Sequence, residues 1–292
     1  MLFVTGTKRS GTSMWMQVLR AAGLPVIGTE FPRDWGEVIR EANPGGFFES
    51  PLRMGVHFGT NPNPRTGAYL HPADTTRHVV KVFVPGLIRS DLAFVWRVVG
   101  TMRPWREYAA SLTRLYTLEN EQRVRPEGIE PAAHVAPELE WWAENYSLIG
   151  DHIRRRYPLH LVAYDEVLAE PERVIPETLS WLGTGDTASA LSAVHGEYRT
   201  QERTVWEPHP AITPDIASLC DELYQRVRER AGLDEAFVDR LNATNTTLRP
   251  VIREQMEATH KVERARRAEL ARRARADRAG GATDETPPEP AQ

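Results

Sequence analysis

The stretch "TGTKRSGTS" (residues 5–13) gathers cations, hydroxyls and glycines in one short turn. Lys8 and Arg9 lie between Gly6 and Gly11, and Ser10, Thr12 and Ser13 add hydroxyl donors. A glycine-rich turn from a strand into a helix aims backbone N–H groups at an anion, and the helix N-terminus adds partial positive charge. Arg9 adds a fixed charge with several N–H donors. Such a cradle suits phosphate, and a merely structural turn requires neither the cations nor the hydroxyls. A nucleotide-triphosphate loop of the Walker type would place Lys before its final Ser or Thr. Here Thr12 holds that Lys position. No acidic residue ends the following "FVWRVVGT" strand to hold magnesium, and Asp165 is the one substitute.

A second constellation follows that strand. Arg103 sits at its end and Ser111 lies eight residues on. Pro104 biases Arg103 away from helix. Ser111 then falls about two turns into the next helix, ~10 Å along it. An arginine and a hydroxyl so placed can hold one further phosphate. Lys81, inside the apolar run "HVVKVFV", is a third feature, because a lysine in a buried strand is costly unless it reaches a partner or an anion.

The elements that must position these residues alternate between strand and helix. "LFVT" (2–5), "HVVKVFV" (78–84), "FVWRVVGT" (94–101) and "LHLVAY" (159–164) read as strands. Residues 12–23 have helical period, with Met14, Val18, Leu19 and Ala22 along one side. Pro104 starts a helix to about Leu118. Pro137, with Glu138 and Glu140, opens another that the arginines 154–156 and Pro158 close. Residues 176–183 form a helix ending at a glycine. This order predicts an α/β fold, a central parallel sheet with helices on both faces and a P-loop-like strand-loop-helix at the N-terminus. Residues 26–76 are irregular, rich in Pro, Gly and aromatics (Phe31, Trp35, Phe47, Phe48, Phe58, Tyr69), and belong to the substrate side. The reading is one domain over 1–250, a helix over 251–279 and an unfolded tail over 280–292. The helix has a thin apolar stripe after Val262, so its later turns are expected in solvent.

Composition bounds the function. The chain has 292 residues, 41% apolar and 26% charged, with a net charge of −4, which argues against a general nucleic-acid binder. Cys220, the single cysteine, excludes an internal disulfide and suits a reducing, cytoplasmic compartment; its spacing from Leu219 and Leu223 makes it a buried thiol. No transmembrane run or signal peptide is legible. The basic C-terminal helix leaves peripheral contact with an anionic surface as a minor alternative to a solvated helix.

"KRSGTS", then a strand with Arg and Ser eight residues later, then "YDEVLAEPERVIPETLSWLG", together resemble the sulfotransferases that use 3′-phosphoadenosine 5′-phosphosulfate (PAPS). The likeness covers roughly 2–23 and 78–183, and "NPGGFFES" (43–50) is similar to a stretch of bacterial members. The resemblance implies that Lys8, Arg9, Ser10, Gly11, Thr12 and Ser13 bind the 5′-phosphosulfate, that Arg103 and Ser111 bind the 3′-phosphate, and that Tyr164 lies near the nucleotide. It also implies a basic residue at Lys81 near the sulfuryl group, no metal, and a small-molecule or glycan acceptor of the carbohydrate, phenolic or lipid-linked kind. Arg9 stands where many members have Lys. Met14 stands where they carry an adenine-stacking Trp, with Trp15 one place late. Their C-terminal nucleotide clamp has only Arg199 and Arg203 as candidates. The acceptor must lose a proton, and the base is open among Glu30, Glu49, His57 and His71. Phe47 and Phe48 would give Glu49 an apolar setting that raises its basicity. The alternatives are a magnesium-dependent nucleotide kinase using Asp165 and a nucleotide-binding protein without turnover.

Overall fold

The structure is a computed structural model that describes residues 1–31, 45–122, 131–194 and 207–281. Trp35, Asn43, Pro44, Arg199 and Arg203 therefore lie outside the described residues, as does most of the C-terminal tail.

Five strands form one sheet: β1 (Leu2–Gly6), β2 (Val26–Ile27), β3 (Val79–Lys81), β4 (Arg97–Met102) and β5 (Leu159–Ala163). Their order is β2-β3-β1-β4-β5, and every pairing is parallel. The expected α/β sheet is thus present, with one short edge strand, β2, that the sequence did not announce. Successive side chains of a strand point to opposite faces. Leu2 and Val4 accordingly pack with α1 (Thr12–Ala21) and with α6 (Pro171–Leu182), whose buried residues include Val174 and Ile175. Met1 and Phe3 pack on the other face with Leu87 of α2 (Val84–Arg89) and Leu148 of α4 (Pro137–Arg155). A third apolar cluster joins α3 (Trp105–Gln122) and α4 to α8 (Pro214–Glu229) and to the start of α9 (Glu235–Gly281). Among the described residues, two further helices are α5 (Tyr164–Ala169) and α7 (Thr187–Ser192).

Four boundaries depart from the sequence reading. The strand expected over 78–84 stops at Lys81, and Val84 opens a helix with Pro85 in its first turn, where the missing N–H is no loss. The strand expected at 94 begins at Arg97, because Leu92–Phe94 turn tightly under an Asp91 cap. The helix expected from Pro176 begins at Pro171 and runs through Pro176. The helix expected from Pro250 begins at Glu235, is 47 residues long, and also carries its proline inside. Proline marks a helix start well, but packing on both sides can hold it in an interior. Nor are the later turns of α9 uniformly solvated: Glu263 accepts from the Ala133 N–H at 3.1 Å, and the Arg266 side chain is only 11% exposed.

Candidate functional site

The turn between β1 and α1 is held in shape by its own atoms and by β4. Ser10 donates its hydroxyl to the Thr7 carbonyl at 2.7 Å, and Thr101 donates to the Ser10 carbonyl at 2.7 Å. Arg9 adopts a left-handed backbone (φ 63°), a costly state for a residue with a side chain. Gly11 has φ 100°, and a Cβ there would lie 2.6 Å from the Tyr164 ring, so only glycine fits. Gly11 also caps α1 without a side-chain hydrogen bond, which leaves the first N–H groups of that helix facing outward from the turn.

Arg9 and Arg103 meet over this turn. Arg103 is 3% exposed and Ser111 is 1% exposed. The Arg103 Nη1 donates to the Arg9 carbonyl at 3.2 Å, and its guanidinium lies 4.8 Å from the Tyr164 ring centroid. The Arg9 Nε donates to the Ser111 Oγ at 3.5 Å. Arg103 Nε and Nη2 have no hydrogen-bond partner although they are buried. Burial, with the Arg103 and Arg114 charges added, lowers the Arg9 pKa from its ordinary value. Two like charges thus share one buried cleft with donors that have no hydrogen-bond partner, an arrangement suited to an anion. The spacing of Arg103 and Ser111 in the sequence therefore does bring both side chains to the loop. Lys8 is different: it turns outward, 3.5 Å from Glu140 and over the Tyr116 ring.

On the other side of the loop, Lys81 is 5% exposed at the end of β3. Its Nζ lies 2.7 Å from Glu49 Oε1, donates to the Ser13 hydroxyl at 3.4 Å, and also donates to the Phe47 carbonyl. Burial lowers the Lys81 pKa, and the Glu49 carboxylate opposes that shift. Glu49 is fixed by a bridge between its backbone and Thr29, and its Oε2 has no hydrogen-bond partner. The apolar setting expected from Phe47 and Phe48 is not what the carboxylate meets; its near neighbours are Lys81 and, at 3.7 Å, Arg53.

The other candidate bases lie elsewhere. Glu30 pairs with Arg20 beside an open groove of about 770 Å³ at the β2 edge. His57 follows Val56, whose backbone is tied to Ser90 and Asp91 beyond the far end of α2. His71 accepts at its carbonyl from Thr75, and Thr75 in turn leads to His78 at the amino end of the sheet. Both histidines are thus at the end of the sheet opposite the loop, because α2 carries the chain back across it. Trp15 is fully buried in the core, so it does not take the stacking position, and Met14 stays half-buried beside Gly11. Asp165 receives the Tyr224 hydroxyl and lies 3.7 Å from Arg228, so its carboxylate faces α8 rather than the loop. Cys220 is buried, and burial pushes its thiol up to about 12.

No protein-family model matches the sequence, and no curated protein does. Among solved structures, the chain is similar to the sulfotransferase domain from the Synechococcus PCC 7002 olefin synthase, with 15% identity, a TM-score of 0.40, and 84% of this chain and 94% of that one covered. That likeness is too distant to assign a role to any residue, and the side-chain geometry stands by itself.

One feature of the site had no signal in the sequence. Glu140 and Glu144, one turn apart on α4, face Tyr108 beside Lys8, and burial with the Glu140 charge pushes the Glu144 carboxyl up to about 8. Their i, i+4 spacing on a charged helix reads as an ordinary solvated face.

Proposed function

We propose that the protein is a sulfotransferase that moves a sulfuryl group from PAPS to a hydroxyl or amine of a carbohydrate, phenolic or lipid-linked acceptor. The observation that carries this reading is the meeting of Arg9, Arg103 and Ser111 in one buried cleft over the β1–α1 turn. The fit of the nucleotide rests on two further features: the Nε and Nη2 of Arg103, which have no hydrogen-bond partner, and a turn in which a Cβ at Gly11 would strike Tyr164. PAPS, when bound, supplies an activated sulfuryl group on its 5′-phosphate.

The chain's own residues do the rest. The β1–α1 turn and Arg9 hold the 5′ end, and a preorganised cation there stabilises the negative charge that develops on the leaving oxygen. Arg103 and Ser111 hold the 3′-phosphate. The Glu49 carboxylate accepts the acceptor's proton, and its ion pair with Lys81 keeps the group fixed. Sulfuryl transfer needs no metal bridging two phosphates, in keeping with a turn that lacks the Walker lysine. The kinase alternative loses support from Asp165, which is engaged by Tyr224.

Incubation with labelled PAPS and a panel of phenols, sugars and lipid-linked alcohols tests the reading. Label should pass to at least one acceptor class. Glu49→Gln should cut that turnover by ~10²–10⁴-fold, the usual contribution of a general base, with nucleotide affinity kept. Glu30→Gln should cost far less. Equal turnover by Glu49→Gln and the parent would remove Glu49 from the chemistry.

A further inference from the structure

Arg103 and Glu107 are an unusual pair for a buried anion cleft. The carboxylate Oε2 of Glu107 lies 3.5 Å from Arg103 Nη2, an ion pair without hydrogen-bond geometry. The Glu107 side chain is 31% exposed, whereas that of Arg103 is 4% exposed. Glu107 also stands one turn before Ser111 on α3, and the Ser111 hydroxyl accepts from Arg9. An incoming phosphate would approach the same donor that this carboxylate faces.

We propose that Glu107 is an internal counter-anion of the cleft: it neutralises Arg103 in the free protein and yields that guanidinium to a ligand phosphate, so it weakens binding and hastens release. This rests on the phosphate-binding reading of the cleft. Arg103 keeps its place without Glu107, because the Arg9 carbonyl, the Tyr164 ring, and the Trp141 indole on its own carbonyl fix it. Removing the Glu107 charge therefore leaves the donors aimed as before. It also removes a negative charge beside Arg103 from a cleft in which Arg9 and Arg103 repel, which further favours a bound anion. A carboxylate and a phosphate drawn to one guanidinium repel each other, and the third of Glu107 that reaches water gives it somewhere to turn.

The test is Glu107→Gln in the full chain, with adenosine 3′,5′-bisphosphate binding measured by calorimetry and its release by stopped flow. Loss of one partly screened charge at this range is expected to tighten binding by about tenfold and to slow release by a similar factor. Glu107→Asp draws the charge back by one methylene and is expected to fall between Gln and the parent. It also serves as the second reading should the Gln variant fail to fold. Binding by either variant equal to or weaker than the parent, with unchanged circular dichroism, overturns the proposal. A parent that does not bind the bisphosphate overturns the phosphate reading beneath it, a different result from a parent that binds and variants that match it.

Discussion

Arg103→Ala removes a buried guanidinium whose Nε and Nη2 have no hydrogen-bond partner within the chain. It is expected to weaken adenosine 3′,5′-bisphosphate binding by roughly 2 kcal/mol or more, the scale of a buried charge-assisted contact. Adenosine 5′-monophosphate, which lacks the 3′-phosphate, should bind parent and variant alike; parallel calorimetric titrations check this, and an equal loss for both nucleotides would separate Arg103 from the 3′-phosphate. The meeting of Arg103 and Ser111 at the loop was legible at the level of single residues, since Pro104 and helical rise place them by local rules alone. The Lys81–Glu49 pair was legible only in part. A lysine in an apolar strand announces that it has a partner, but the identity of that partner depends on how residues 45–50 cross the sheet. The choice between Glu30 and Glu49 turned on the same long-range packing, and no spacing rule encodes it.

At the scale of elements, α3 and α4 enclose a proton-holding group. Glu144 sits about 8, well above an unfolded glutamate, because burial and Glu140 disfavour its charge. Its folded pKa is raised, so its contribution to stability is fully present below about 4.5 and is lost as pH rises through about 8. Glu144→Gln keeps the neutral form at every pH. The parent is expected to lose at least ~1 kcal/mol relative to this variant between pH 5 and pH 8, seen as melting temperatures that diverge over that window. Parallel curves would show that Glu144 ionises at its ordinary pH. Element legibility followed the same division as residue legibility. The parallel sheet and the loop between β1 and α1 were readable from β-branched runs and glycine, whereas the strand order was not. Helices α6 and α9 run through the prolines that the sequence reading put at their starts, because a proline's local preference for a first turn yields when the flanking residues bury apolar surface, and α2 lay hidden at the end of an apolar run.

For the whole molecule, the parallel sheet brings β1, β3 and β4 together at their carboxyl ends, where ligands of such folds bind. Two oppositely equipped walls result there: arginines and a serine on the β4–α3 side, a lysine–glutamate pair on the β3 side. Among the described residues, no helix is long and apolar enough to cross a membrane. The sheet's polarity also bears on His57 and His71, whose backbone ties run to Ser90, Asp91 and His78 rather than to the β1–α1 turn, a placement that only the topology reveals. The central claim is that the cleft takes a 3′-phosphorylated adenine nucleotide and not a magnesium-bound triphosphate. Thermal melting of the parent chain with each nucleotide tests it most directly, because a ligand that binds only the folded state raises the melting temperature by mass action. Adenosine 3′,5′-bisphosphate should raise it by several degrees at a concentration ~100-fold above its dissociation constant, and ATP with magnesium at the same concentration should do much less. Equal or greater stabilisation by ATP with magnesium, abolished by Asp165→Asn, would contradict the account.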